Sequence, residues 1–385
     1  MINEFNTLPP NLKHAGGGRL KVIMLSPFSS KGATTRRLYE LARNMEPAAR
    51  VILPKRDKYG CSEEDRTFLF TLENKSFLLL PLHIHRALGY LFREKPKVVY
   101  FAKPHLFTFL PALIYRMLRP GCSLFFDCDE WDPATLRDNR EAFYKIWLTD
   151  FLAYFSIRLS DKVVYSNTWI KEEKIPERYL EKCFYLSNGV NTGEFKVREH
   201  KRGNEFSLMF VGLLHKIEHI LPLVDAVGIA SKQIPQLKCR IVGDGPKREE
   251  LERVVASKGL RKLFIFTGSV PHEELPELLP TADVLLAPFS NLEGVRYQSN
   301  VKIFEYMAAG IPIVATDVGD VKRVLGNGKA GYVVPPGNSE AIADVTVHIR
   351  RNPKESARRA ALARKLAAEM FDWKVLASKL EGFLS

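Results

Sequence analysis

Sixteen residues near the C-terminus constrain this chain most: Val301-Lys302-Ile303-Phe304-Glu305-Tyr306-Met307-Ala308-Ala309-Gly310-Ile311-Pro312-Ile313-Val314-Ala315-Thr316. They read as a short helix, a stop and a strand. A side-chain oxygen at Ser299 or Asn300 can accept an otherwise orphaned N–H at the helix start. Gly310 suits the left-handed position after the last turn, and Pro312 prevents continuation. Ile313 to Thr316 is then a β-branched apolar run of the kind buried in a parallel sheet. A helix whose N-terminus faces the C-terminal edge of such a sheet offers a place for phosphate. Glu305, one turn in, is placed to accept hydrogen bonds from a ribose.

The same alternation organises the rest of the chain. Leu20 to Ser26 reads as a strand, followed by the small-residue loop Ser29 to Thr35 and a helix from about Arg36. That is the opening unit of a doubly wound α/β domain. Further strands are expected at 97–101, 123–126, 162–165 and 183–186. The charged stretch 196–205 carries no strand pattern and reads as a linker. Strands then resume at 207–211, 238–242, 263–267, 284–287 and 313–316, with helices at 221–231, 249–257, from Glu273, and around Glu305. Two further helices are expected at 356–369 and from Trp373 to Leu384.

At 385 residues the chain exceeds one ordinary core, so two domains are expected. Its five cysteines are scattered, with no C-x-x-C pair. This excludes a disulfide framework or a structural zinc site and fits a cytoplasmic, reducing setting. No apolar run approaches the ~20 residues that span a bilayer. Residues 1–19 lack the apolar region of a signal peptide and read as a flexible tail. The net charge of +13 favours anionic partners.

Several segments of the second half together resemble the retaining glycosyltransferases of family 4, which have the GT-B fold. They are Ile241-Val242-Gly243-Asp244-Gly245-Pro246, Phe266-Thr267-Gly268-Ser269-Val270, Thr281-Ala282-Asp283-Val284-Leu285-Leu286-Ala287-Pro288 and the block around Glu305. Upstream, Leu186-Ser187-Asn188-Gly189-Val190-Asn191 with Phe195 is similar to the family's hinge signature, with Asn191 where Asp is usual. The resemblance implies an α/β, GT-B protein of two Rossmann-like parallel-sheet domains facing a cleft. Residues 20–195 would form an N-terminal acceptor-binding domain, with the helix 370–385 packing back on it. Residues 206–369 would bind the nucleotide sugar. It also implies a metal-independent transfer with retention of configuration, from a nucleoside-diphosphate sugar to a saccharide or lipid-linked acceptor, and no further cofactor.

Such a transfer builds negative charge on the leaving phosphates, which a cation or a helix N-terminus must meet. The family places Arg directly after the glycine that ends the first strand of the second domain, whereas here Leu213 follows Gly212. Lys216 is the expected diphosphate cation, with Lys302 or Arg296 in reserve. The donor-side candidates are Gly212, Lys216, Gly243, Gly245, Ser269, Val270, Ser299, Asn300, Val301, Lys302 and Glu305. The family also places a sugar-contacting Glu eight positions before Glu305, where this chain has Tyr297. Glu293 could replace it only with a reshaped loop.

On the acceptor side, Phe125-Phe126-Asp127-Cys128-Asp129-Glu130-Trp131-Asp132 ends an apolar strand in an acidic run. Asp-x-Asp there also suits the metal-binding signature of GT-A glycosyltransferases, but a second parallel-sheet domain with donor motifs is foreign to that architecture. Asp127 and Asp129 are therefore expected to bind the acceptor hydroxyl or help remove its proton, and Glu130 and Asp132 to cap the next helix. The loop Lys31-Gly32-Ala33-Thr34 is expected near the phosphates and acceptor, with His105 and His215 in cleft loops. His105 to Arg119 is an unusually apolar helix with basic residues at its end. It reads either as a buried crossover helix or as a peripheral contact with an anionic inner membrane face. The competing readings are a GT-B sugar-nucleotide epimerase and an inactive GT-B scaffold. No recognised nucleic-acid module is present.

Overall fold

A computed structural model of the chain describes residues 21–27, 33–46, 49–53, 68–70, 77–195 and 205–384. The expected tail 1–19, Lys31, Gly32 and nearly all of the 196–205 linker lie outside the described residues. The chain forms two compact units. One comprises residues up to Asn188, the tripeptide Tyr297–Ser299 and the segment from Trp373. The other comprises Gly189–Arg296 and Asn300–Asp372.

The first unit is built on β1 (Val22–Leu25), β2 (Arg50–Leu53), β3 (Phe68–Phe70), β4 (Val98–Ala102), β5 (Ser123–Cys128), β6 (Lys162–Tyr165) and β7 (Cys183–Tyr185). All pair in parallel, in the order β3-β2-β1-β4-β5-β6-β7. A parallel strand is covered on both faces, and β1 and β4 are buried at every position. One face packs on α2 (Leu80–Glu94), α3 (Leu106–Leu118) and α5 (Phe143–Leu159) through Phe101, Phe126, Tyr115 and Ile157. The other packs on α1 (Ala33–Asn44) and the last helix, α15 (Trp373–Leu384), through Leu38, Leu41, Trp373 and Leu380. Between them in sequence lie α4 (Asp132–Asp138) and α6 (Thr168–Glu173).

The second unit has β8 (Phe206–Val211), β9 (Leu237–Val242), β10 (Phe264–Gly268), β11 (Val284–Ala287), β12 (Ile313–Thr316) and β13 (Tyr332–Val334), again all parallel, in the order β10-β9-β8-β11-β12-β13. Its helices include α7 (Leu221–Ser231), α8 (Arg248–Ser257), α9 (Leu275–Leu278), α10 (Glu293–Arg296), α11 (Val301–Ala309), α12 (Val321–Val324), α13 (Ser339–Arg351) and α14 (Pro353–Met370). In each unit the strand order reverses beside the first strand, between β1 and β4 and between β8 and β11. Open α/β sheets take their ligands at the carboxyl ends of the strands that flank such a reversal.

Of the two readings offered for α3, the buried crossover helix is the one the structure shows. Phe107, Thr108, Phe109, Pro111, Ala112 and Tyr115 are buried, so α3 is the crossover helix, and only its end exposes Met117 and Leu118. Among the described residues no helix is long and apolar enough to cross a membrane.

Candidate functional site

In the second unit α11 follows Asn300, whose backbone is extended and whose side chain caps nothing. The expected cap is therefore not made. Ser299 is occupied elsewhere: its hydroxyl accepts the Asn188 N–H at 2.9 Å and its carbonyl accepts Asn188 Nδ2 at 2.7 Å, both within the first unit. At the other end, Gly310 adopts the left-handed conformation with φ 69° that its Cβ-free backbone allows. Tyr306 is fully buried, and its hydroxyl takes the Val211 N–H at 2.9 Å, locking α11 to the end of β8.

That lock sets Lys302 at the strand-order reversal. Its ammonium lies 4.5 Å from the ring centroid of Phe210 in β8 and 5.5 Å from that of Phe289, just after β11. Among the described residues no carboxylate forms an ion pair with it. Burial lowers its pKa to about 8, with Glu305 pulling the other way. Gly212 is the residue that leaves room: a Cβ there would stand 2.8 Å from Lys302 Nζ. His219 Nδ1 accepts the Ser290 N–H at 3.1 Å. Its pKa falls to about 4, through burial first and then the charges of Lys302, Lys216 and His215. These groups share one electropositive corner.

Gly243 and Gly245 shape this corner by backbone contact. Gly212 N–H donates to Val242 O at 2.9 Å, and Leu214 N–H to Asp244 O at 2.9 Å. A Cβ at Gly243, where φ is 137°, would fall 1.9 Å from Gly212 O. The two glycines let the loops after β8 and β9 lie against each other. Glu305, nearly buried, meets His272 Nε2 through Oε1 at 2.6 Å. His272 opens the turn His272–Glu274, one residue beyond Ser269, which is exposed, and Val270, which is half-buried. The loop after β10 and the α11 carboxylate are thereby joined.

Tyr297 occupies the position of the family's sugar-contacting Glu. It is 1 % exposed, belongs to the apolar cluster of Trp131, Tyr165 and Ile170, donates its hydroxyl to Glu173 and lies 4.8 Å under the Lys174 ammonium. A ring so placed reads no ligand. Glu293 and Arg296, the alternatives, sit half-buried in α10.

In the first unit Asp127 has no exposed surface. Arg37 Nε donates to its Oδ2 at 2.9 Å and Nη2 to its Oδ1 at 3.3 Å. The same guanidinium holds Leu186 O, Ser187 O and Asn188 Oδ1. Both carboxylate oxygens are spent on a buried cation, which leaves Asp127 without an oxygen for the acceptor contact expected of it. Asp129 Oδ2 accepts the Thr34 hydroxyl at 2.6 Å, and its Oδ1 is 3.3 Å from Lys103 Nζ. Lys103, buried with φ 64°, also pairs with Glu130 and with Asp132 at 3.0 Å. Those two acids make ion pairs where helix caps were expected; the position before α4 is Trp131, with no side-chain cap. Burial raises Asp132 to about 7, with Glu130 and Asp129 adding to the shift and Lys103 opposing it. His105 is structural: its Nδ1 accepts the Phe107 N–H at 3.4 Å at the start of α3.

Four residues that matter here were not legible as such: Arg37, Lys103, His219 and His272. Lys103 had a signal, a lysine closing the apolar strand β4 one crossover before the strand that ends in the acidic run. His219 had another, the basic spacing of His215, Lys216 and His219. Arg37 and His272 act on partners 90 and 33 residues away, which no local pattern announces.

Residues 205–352 match the family model described as Glycosyl transferases group 1. An alpha-D-kanosaminyltransferase of Streptomyces kanamyceticus is 27 % identical over 220 residues, 55 % of each chain. A phosphatidyl-myo-inositol mannosyltransferase of Mycobacterium leprae is 35 % identical over 158 residues, 41 % of this chain and 40 % of that one. The chain thus spans about half the length, or less, of the curated relatives it matches. Among solved structures, HepE of Anabaena in complex with UDP superposes with a TM-score of 0.74 at 18 % identity, covering 95 % of this chain and 99 % of that one. The chain therefore shares its two-unit α/β, GT-B fold with solved glycosyltransferase structures, and its second unit matches the glycosyl transferases group 1 model.

Proposed function

We propose that the chain transfers a sugar from a nucleoside-diphosphate donor to a saccharide or lipid-linked acceptor, with retention and without a metal. The seat of Lys302 carries this reading. A lysine with no acid partner among the described residues stands where the strand order reverses, on the first turn of α11, in a corner shared with Lys216 and His215. A diphosphate is the anion such a corner suits, because ammonium and helix N-terminus both stabilise charge that grows as the sugar leaves. Glu305, one turn further along the same face, is left to hold the ribose. On the acceptor side Asp129 is the carboxylate we assign to the hydroxyl, with Asp127 positioning the loop through Arg37.

A nucleotide and nucleotide-sugar panel read by thermal shift tests the donor site. A ligand at ~100 times its dissociation constant adds ~2.7 kcal/mol to stability. Glu305→Ala is expected to remove the shift; an unchanged shift sinks the ribose assignment. Tyr297 favours one second reading, a nucleotide-binding GT-B protein without transfer, since no carboxylate stands at the family's sugar position. Nucleotide binding with no product on any acceptor would select it.

A further inference from the structure

The chain between α10 and α11 leaves the second unit for three residues. Tyr297, Gln298 and Ser299 belong to the first unit, whereas Arg296 and Asn300 on either side belong to the second. Two asparagines hold this tripeptide in the same way. Asn167 Nδ2 donates to Gln298 O at 3.0 Å, and Asn188 Nδ2 to Ser299 O at 2.7 Å. Each spends its Oδ1 inside the first unit. Asn167 accepts the Trp169 N–H at 2.9 Å as the cap of α6, and Asn188 accepts Arg37 Nη1 at 3.2 Å. A backbone N–H and a guanidinium can only donate, so both side-chain amides must turn their own donors to the tripeptide. The Asn188 N–H adds a bond to the Ser299 hydroxyl at 2.9 Å, and Tyr297 is sunk in the first unit's apolar cluster.

We propose that Asn167 and Asn188 are positioning residues for the donor site, fixing through Gln298 and Ser299 where α11 begins and so where Lys302 stands. α11 has no side-chain cap of its own at Asn300, and an uncapped first turn is the part of a helix that frays. Ser299 lies three residues before Lys302, so at most about 11 Å of chain separates a fixed carbonyl from the lysine backbone. The base of the anchor is rigid. Arg37 is 1 % exposed and is bonded to Asp127, Leu186 O and Ser187 O as well as to Asn188. The Tyr306 hydroxyl fixes the body of α11 at Val211, and the tripeptide fixes its start. The cation so placed is the one assigned to the diphosphate, and the role of the two asparagines rests on that donor reading.

Asn167→Asp and Asn188→Asp test this, because each keeps the inner acceptor and replaces the donor that faces the tripeptide. The full chain is titrated calorimetrically with UDP, GDP, ADP and dTDP, and the tightest binder is carried through the variants. Each Asp variant is expected to bind it about tenfold more weakly, the scale of a displaced contact to a charged group. Melting temperature should stay near wild type, since Asp caps α6 as well as Asn does and still meets Arg37. Combined with Lys302→Met, either substitution is expected to cost no further affinity, because the group it positions is gone. Ser299→Ala breaks the separate bond from the Asn188 N–H and should follow the same pattern, which keeps a readout if an Asp variant fails to fold. Wild-type affinity in these variants overturns the proposal. So does a loss that persists in full beside Lys302→Met, which gives the asparagines a merely structural role. A wild-type chain that binds no nucleoside diphosphate sinks the donor reading and this role with it, whereas a loss with Lys302→Met alone sinks only the role.

Discussion

His272 Nε2 lies 2.6 Å from Glu305 Oε1, which ties the loop after β10 to the α11 carboxylate across 33 residues of sequence. One oxygen of Glu305 is thus oriented by a neighbour, leaving the other for a ribose hydroxyl. His272→Ala should weaken nucleoside-diphosphate binding about tenfold, the scale of a hydrogen bond to a charged group. The 2′-deoxy analogue should lose much less, because it makes less use of the oriented carboxylate. Calorimetric titration of UDP against 2′-deoxy-UDP, or of the corresponding pair for whichever base binds best, measures this; equal losses would assign His272 a purely structural role.

With Lys302 at the diphosphate, as proposed, donor binding should depend on pH. Burial holds its pKa at about 8, so the ammonium is charged below that value and loses its proton above it. Only the charged form attracts a diphosphate. Affinity should be flat below about pH 7 and fall as pH rises through about 8, approaching tenfold per unit. Lys302→Met should bind weakly and show no such fall. A wild-type affinity constant up to about pH 9.5 would remove Lys302 from the diphosphate site.

Two glycines of the corner should fail differently. Gly212→Ala places a Cβ 2.8 Å from the end of a flexible lysine, so Lys302 moves and the fold survives. Nucleotide affinity should drop about tenfold with little change in melting temperature, the cost being one misplaced cation. Gly243→Ala drives a Cβ to 1.9 Å from a backbone carbonyl, with nothing free to yield. It should cost upwards of about 3 kcal/mol and melt the loop pair. Thermal melts of both variants, with and without nucleotide, separate the two effects.

Asp132 gives the first unit a stability term of known sign. Its carboxyl is raised from 3.8 to about 7, so the folded chain keeps a proton that the unfolded chain has lost in that window. The contribution therefore falls as pH rises through the window. Asp132→Asn removes one of three acids around Lys103 while Asp129 and Glu130 still pair it. Relative to wild type it should gain about 1–2 kcal/mol between about pH 5 and about pH 8. A melting-temperature difference that does not change with pH would contradict the assignment.

The parts of the fold that were legible were those governed by local burial. Val22–Leu25, Val98–Ala102 and Ile313–Thr316 are apolar at nearly every position because both faces of a parallel strand are covered, and their runs are visible by inspection. Arg50–Leu53 and Tyr332–Val334 were missed: the first opens on a charged residue after Ala48-Ala49, and the second is a three-residue strand at the sheet edge. At the candidate site, the helix that carries Lys302 and Glu305 was legible, whereas the diphosphate cation was expected first at Lys216. Asp127 was misjudged because an acid at a strand end looks the same whether it faces solvent or a buried guanidinium. What decided between those fates was Arg37, buried on a helix whose other arginines, Arg36 and Arg43, are half-buried and exposed. The burial of Tyr297 was not legible for the same reason, as its hydroxyl partner Glu173 lies 124 residues away.

The first unit is closed by the last helix of the chain. Trp373, Leu376 and Leu380 of α15 complete a core begun by Met24, Leu38 and Leu41. A ribosome must therefore make the whole second unit before the first can finish folding. At about 5–20 residues per second, that leaves one side of the first sheet bare for on the order of ten seconds or more. During that interval the nascent chain offers an open apolar face, the kind of client a chaperone holds. Emergence of α15, rather than of the first half, is the event that completes this domain.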